Sequence, residues 1–270
     1  NQYNMSSTII NSDKNIILDI NGNIIETSNY YEYITNYGIL KIIDSQNSFD
    51  ENGIITSGTG KIYHDKNKSL SGGDMLGAAL IVNYGTLDIS GGLLESSNTG
   101  NVIGLKSGSI TLNSGGITGE NLFSKRDTNF NVNGGQVDIK TLLLSTCTIK
   151  SGTFNSQEIA GITINMYGGI INSSKVRGNS INVLGGTVNG TITEFETLNI
   201  GTKDENVSTE IPSITSVISE YGENKVGIFN FYDGKIRSIS GRINEVQPGY
   251  RVVSNNDYNI LTPIGDDERV

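Results

Sequence analysis

Between residues 132 and 200 the sequence keeps a fixed stride. Val132, Ile149, Met166, Val183 and Ile200 stand 17 positions apart. Two positions before each stands another apolar residue: Phe130, Cys147, Ile164, Ile181 and Leu198. An apolar–polar–apolar triplet is strand periodicity, with its outer members on one face. The i, i+3, i+4 spacing of a helix is missing across residues 80–200. A strand-bearing unit this short cannot bury its apolar face alone. It must stack on copies of itself, which makes it one coil of a solenoid.

The same triplet extends outward from this run. Earlier second members are Ile20, Ile42, Ile89 and Leu112, and a later one is Phe231. Their first members are Leu18, Leu40, Leu87, Ile110 and Phe229. Five positions after the second member comes a third apolar residue: Ile25, Leu94, Ile117, Val137, Phe154, Ile171, Val188 or Ile236. Two copies break this rule, with Asn47 after Ile42 and Glu205 after Ile200. Leu142, Ile159 and Val176 mark one more segment per coil. The paired glycines 91–92, 134–135, 168–169 and 185–186 follow the triplet, where a corner needs positive φ. The expectation is an all-β, right-handed parallel β-helix of about 10 coils, each ~17–24 residues long with three short strands. Residues 1–262 form one domain in this reading.

The stride is broken twice. Ile42 and Ile89 are 47 apart, which leaves room for two coils or for one coil plus an excursion. Residues 56–77 contain the charged stretch 63–68 and read as a projecting loop. Ile200 and Phe231 are 31 apart, so 201–228 reads as an irregular insertion. Within it Ile214, Val217 and Ile218 follow Pro212 at helical spacing, which fits a short helix or an irregular loop. Residues 237–262 abandon the repeat and read as a cap, because an open coil end exposes backbone and apolar surface. Residues 263–270 read as a polar tail.

Composition removes several function classes. Nineteen Lys and Arg stand against 28 Asp and Glu, giving a net charge of -9, so no basic footprint for nucleic acid exists. One Cys and one His exclude a disulfide framework and His-pair or Cys-based metal sites. No apolar run approaches the ~18 residues of a membrane span. Residues 1–7 do not form a signal peptide, and the chain reads as a mature fragment or a trimmed piece.

Three segments carry a resemblance. Asn15-Ile16-Ile17-Leu18-Asp19-Ile20-Asn21-Gly22-Asn23-Ile24-Ile25 resembles the opening coil of pectin-lyase-like parallel β-helix domains in Gram-positive surface proteins. Ile81-Val82-Asn83-Tyr84-Gly85-Thr86-Leu87-Asp88-Ile89-Ser90-Gly91-Gly92 resembles their internal coil, and Phe229-Asn230-Phe231-Tyr232-Asp233-Gly234-Lys235-Ile236 a motif near their end. The likeness covers roughly residues 15–262. It implies a right-handed β-helix that is exported and displayed on a cell wall, as in adhesin-type repetitive proteins of gut Firmicutes. It implies no particular ligand.

Enzymes of the pectin-lyase-like class use clustered carboxylates, and glycoside hydrolysis needs a converging pair. The outward position of each triplet reads Asp19, Lys41, Asp88, Thr111, Asn131, Thr148, Asn165, Asn182, Asn199 and Asn230. Only two are carboxylates, which suits a surface charge row better than a catalytic set. The amide row Asn131, Asn165, Asn182 and Asn199 is the candidate ligand-binding face. Its alternative is a ladder of amides bonded from coil to coil. His64, beside Asp65, reads as surface decoration, and Cys147 as a buried apolar rung. Asp50-Glu51-Asn52 and Asp266-Asp267-Glu268 lack the spacing of a calcium loop, although a carbonyl-rich calcium site would leave little trace. Tyr30, Tyr31 and Tyr33 suit ligand contact or packing over the N-terminal end.

The expected function is therefore a non-catalytic, extracellular, cell-surface module, an adhesin segment or a spacer. Its expected partners are a host surface protein or a carbohydrate, with no cofactor and a monomeric state. The alternatives are a polysaccharide-active lyase or glycosidase, a carbohydrate-binding module, or a trimeric phage-fibre β-helix.

Overall fold

A computed structural model describes residues 2–4, 7–27, 33–64, 79–96, 101–208, 210–221, 225–255 and 257–265. The chain is a β-solenoid of about 10 turns, all-β and without a helix among the described residues. Its regular centre consists of Gln136–Ile149, Thr153–Met166, Ile170–Val183 and Thr187–Ile200. Each pairs with the next in parallel, and Cys147, Ile164, Ile181 and Leu198 lie in register. Neighbouring coils are thus ~4.7–4.9 Å apart. Within one 17-residue coil three strand segments follow one another. In the second these are Thr153 to Ser156, Glu158 to Gly161 and Thr163 to Met166. Phe154, Ile159, Ile164 and Met166 point inward and are buried. The alternation seen in the sequence is therefore the inside–outside alternation of the strands.

The corners explain the glycines. Gly169 has φ +82°, and a Cβ there would lie 2.7 Å from the carbonyl oxygen of Gly152 in the coil below. Only glycine meets both conditions without strain.

The broken spacings are lengthened coils. Ile42 pairs directly with Ile89, so the 47-residue interval is one turn with excursions. The third apolar residue of this coil is Ile62, which stacks between Ile25 and Leu94. Residues 61–64 are a strand, so the projecting loop assigned to 56–77 is corrected there; 65–78 lie outside the described residues. The first excursion is a small antiparallel hairpin of Ser48–Phe49 and Ile55–Ser57. It reaches across neighbouring corners: Gly115 donates to the Gly53 carbonyl (2.9 Å) and Gly135 to that of Asn52 (2.6 Å).

Ile200 likewise pairs with Phe231, so the 31-residue interval is also one turn. Its third apolar residue is Ile214, stacked between Val188 and Ile236. Ser213–Ile218 is a strand, not a helix or a loop. The three-residue step from Ile214 to Val217 is a tightened corner that brings both residues inward, and Ile236 and Ile239 repeat it in the next coil. At the far end Tyr250–Asn255 and Tyr258–Pro263 form an antiparallel hairpin. Its second strand pairs antiparallel with Lys235–Ser240, and Leu261 is buried there.

The first coil sits differently from its sequence alignment. Leu18, not Ile20, pairs with Ile42, and Ile17 stands beside Lys41. Asp19 therefore leaves the outward row. It faces Ile43 and takes up a turn, accepting from the Ser45 N–H (3.0 Å) and the Asn21 N–H (2.9 Å). Those bonds, the Ser45 one foremost, hold its carboxyl below the usual range.

Candidate functional site

The outward amides form a bonded ladder. Asn182 donates to Asn165 (2.9 Å), Asn199 to Asn182 (2.8 Å) and Asn230 to Asn199 (2.9 Å). A second ladder runs from Asn189 to Asn172 (2.8 Å), to Asn155 (2.8 Å) and to Asp138 (2.6 Å). Both arise because successive coils return Asn to the same place, 17 residues on within the regular run and 31 on from Asn199 to Asn230. Asn131 is in register with Thr111 and Thr148 and joins no side-chain bond among the described residues. The structure thus brings together Asn165, Asn182 and Asn199 and leaves Asn131 apart. Asp88, next to Lys41, is engaged by Ser90 (2.6 Å) and Asn113 (3.0 Å).

An amide has two N–H donors and one carbonyl oxygen. At Asn182 and Asn199 the ladder uses one donor and one lone pair, while Asn165 only accepts. Each rung keeps a second N–H for whatever lies over it. What lies over it is a groove of about 360 Å³ beside Asn165, Asn182 and Asn199. Its walls are Tyr167, Leu184, Lys203 and Tyr232. Tyr167 and Leu184 are the residues that follow Met166 and Val183, so the same corner of successive coils supplies them. Tyr167 is 54% exposed. Lys203 comes from the lengthened turn after Ile200, and Tyr232 from the next coil.

One end of the groove is charged and tightly organised. Glu245 pairs with Lys203 and accepts a hydrogen bond from the Tyr232 hydroxyl (2.8 Å). The Lys203 bond, then the Tyr232 bond, hold the Glu245 carboxyl below its ordinary range, while Glu245 holds the Lys203 ammonium up. Burial, helped by Glu245, pushes the Tyr232 phenol to about 12. Nearby, burial raises Asp233, although its carboxylate accepts N–H bonds from Ser208 (2.5 Å) and Gly234 (2.7 Å). A general acid for glycoside chemistry needs a raised carboxyl facing a second one. Glu245 is shifted the other way, and Asp233 is committed to the turn backbone. The groove can orient hydroxyl-rich or amide-rich ligands; it lacks an acid–base pair among the described residues.

Other residues also move from their sequence assignments. His64 is fully buried, not on the surface. The strand Lys61–His64 points Ile62 and His64 inward, and His64 stacks between Thr27 and Ser96, both buried. Its neighbour Asp65 lies outside the described residues, as do Tyr30, Tyr31 and residues 266–268. Tyr33 is wholly buried, and its hydroxyl has no hydrogen-bond partner among the described residues; burial pushes the phenol to about 12. Cys147 is an inward rung whose thiol burial also raises to about 12. Asp50 accepts from the N–H groups of Asn52 and Ile54 (both 2.9 Å), a turn rather than an ion loop. Among the described residues no three His, Cys, Asp or Glu side chains gather as metal ligands, and no helix is long and apolar enough to cross a membrane.

Comparison with family models, with curated proteins and with solved structures gives no match.

Proposed function

We propose that this chain is a non-catalytic solenoid module, displayed at the cell surface as an adhesin segment or rigid spacer, whose amide-floored groove engages a carbohydrate. The observation that carries the reading is the groove over Asn165, Asn182 and Asn199. A row of N–H donors repeats once per coil, flanked by the exposed ring of Tyr167 and the Lys203–Glu245 pair. Evenly spaced donors beside an amphipathic ring suit a polymer of hydroxyl groups. The lowered carboxyl of Glu245 argues against general-acid work. The likeness of three sequence segments to pectin-lyase-like domains of exported Gram-positive proteins supports display outside the cell, with host or cell-wall glycans as the ligand class.

The test is a panel of neutral, amino and uronic-acid glycans, assayed for binding and for turnover, with and without calcium. Binding that weakens at least tenfold on Tyr167→Ala, without turnover, supports the reading. Turnover of any member that is lost on replacing Asp88 or Glu245 overturns it in favour of an enzyme. No binding across the panel, with a stably folded chain, leaves the spacer role and removes the glycan.

A further inference from the structure

The hairpin of Ser48–Phe49 and Ile55–Ser57 is fixed to the side of the solenoid. Its loop is bonded to three successive corners. Gly115 donates to the Gly53 carbonyl (2.9 Å), Gly135 to that of Asn52 (2.6 Å), and the Ser151 hydroxyl to the Asn52 side-chain oxygen (3.0 Å). Within the loop the Asp50 carboxylate accepts from the Ile54 N–H (2.9 Å), and the Asp50 N–H donates to the Ile54 carbonyl (3.0 Å). The hairpin is therefore held in place by the solenoid itself, and a ligand that uses it as a wall has little to order.

Beside the hairpin an outward row of the solenoid has a gap. Leu93, Gly116 and Gln136 stand in register in successive coils, and Gly116 has no side chain to fill its place. The gap is a cavity of about 210 Å³, walled by Ile54 and Ile55 of the hairpin and by Leu93. The rest of its lining is polar: Thr118, Gln136 and Asp138. Pockets that enclose a drug-sized molecule run to ~300–1,000 Å³. This cavity is smaller, so it suits one substituent of a larger molecule. Asp138 accepts from Asn155 on one oxygen and from Gln136 on the other (both 2.6 Å). A carboxylate has about four lone-pair sites, so acceptor capacity remains. The Thr118 hydroxyl makes no side-chain bond among the described residues and supplies a donor.

An acceptor, a donor and a small aliphatic wall in one cavity match the three parts of an acetamido group: its N–H, its carbonyl and its methyl. We propose that this cavity is a second carbohydrate site, which binds the acetamido group of an N-acetylated amino sugar. The acetamido N–H donates to Asp138, the carbonyl accepts from Thr118, and the methyl packs against Leu93 and Ile55. A free ammonium or a hydroxyl leaves the aliphatic wall unused. A carboxylate substituent meets Asp138 as a like charge. The rest of the sugar chain lies along Asn155, Asn172 and Asn189, which follow Asp138 from coil to coil and each keep an N–H beyond the ladder bond. That row of donors favours a glycan over an acetylated peptide. The site lies on a different strand segment from Asn165, Asn182 and Asn199 and does not rest on the groove over them.

The probe is the β-1,4-linked trimer of N-acetylglucosamine, with its deacetylated counterpart and the matching glucose trimer as controls. Calorimetry against the whole chain is expected to show binding of the acetylated trimer at least tenfold tighter than of either control. Saturation-transfer NMR is expected to show the strongest transfer at the acetyl methyls. Gly116→Val fills the cavity and should weaken binding at least tenfold. Gly116 does not adopt a left-handed φ, and the nearest atom to an added Cβ is the flexible end of Leu93 (2.9 Å), so the variant folds, as circular dichroism verifies. Thr118→Val, nearly isosteric, should weaken binding at least threefold. Equal affinity for the three trimers, or no saturable binding up to millimolar sugar, overturns the inference. So does binding that ignores Gly116→Val. If such binding is instead lost on Tyr167→Ala, the sugar sits in the Asn165 groove, and the earlier reading stands while this one falls. Tighter binding of an acetyl-lysine peptide than of the trimer assigns the cavity to a modified protein and overturns it as well.

Discussion

Replacing Asn182 with alanine is the sharpest probe of the amide ladder. Asn182 gives one hydrogen bond to Asn165 (2.9 Å) and receives one from Asn199 (2.8 Å). A net hydrogen bond in a protein contributes ~0.5–1.5 kcal/mol. Both are lost, but the groups left behind are half-exposed and regain water. The expected cost is therefore about 1–2 kcal/mol, not the larger penalty of a buried orphan. Asn131→Ala removes the same side chain from a position without a ladder bond, and should cost less than ~0.5 kcal/mol. The assay is urea unfolding followed by circular dichroism, with the slope constant across variants. The Asn182/Asn199 double variant adds a second criterion. The bond they share can be lost only once, so the double variant should cost less than the two singles together, by ~0.5–1 kcal/mol. Equal costs at Asn131 and Asn182, or strict additivity of the pair, would refute the view that the ladder stiffens the stack.

Three more perturbations test other parts of the molecule. Gly169→Ala forces a Cβ into φ +82° and to within 2.7 Å of the Gly152 carbonyl; the φ alone costs about 1–2 kcal/mol, so the urea midpoint should fall clearly, and an unchanged midpoint would contradict the corner geometry. Leu261→Ala empties the contact between the terminal hairpin and the last coil, with an expected loss of ~2–5 kcal/mol by the same assay; a smaller loss than for an exposed leucine would mean that the hairpin does not close the end. The Cys147 thiol is held neutral to about 12 in the fold against an ordinary 9.0, so it favours the native chain fully below pH 9 and loses that contribution as pH rises from 9 to 12, by up to ~4 kcal/mol. Cys147→Val should flatten this alkaline decline in thermal melts without abolishing it, because the Tyr33 and Tyr232 phenols, raised to about 12, act in the same direction.

The coils were legible because inward positions identify themselves. An apolar residue returning every 17 positions has few explanations other than a stacked rung, and Cys147 was placed correctly by that rule alone. Failures came where an insertion moved the rung. Asn47 and Glu205 looked like missing third positions, yet Ile62 and Ile214 fill them after excursions. Ile214 and Val217 looked helical because a corner that sheds residues brings two inward positions to a spacing of three. Asp19 departs from the outward row because Leu18, not Ile20, stands beside Ile42, a register that the apolar spacing of the first coil does not reveal. The missed His64 had a signal: Glu26-Thr27, Tyr63-His64 and Glu95-Ser96 each follow an aliphatic residue of the same rung, Ile25, Ile62 and Leu94.

The groove was half legible, and the reason is geometric. Its floor is periodic, so Asn165, Asn182 and Asn199 could be named from the stride. Its walls depend on breaks in the period. Tyr167 and Leu184 follow the anchors at a corner where other coils carry Asn133, Lys150 and Gly201, residues of no common type. Lys203 enters because the turn after Ile200 is lengthened, and Glu245 reaches it because it stands in parallel register with Asn230, where the amide row gives way to a carboxylate. In a solenoid the repeating residues maintain the stack, and a repeated surface offers the same chemistry at every rung. Recognition of one ligand at one place must come from residues that do not repeat. The place where an unrepeated Lys203–Glu245–Tyr232 cluster meets the end of a repeated amide row is therefore where specificity in this fold is to be sought.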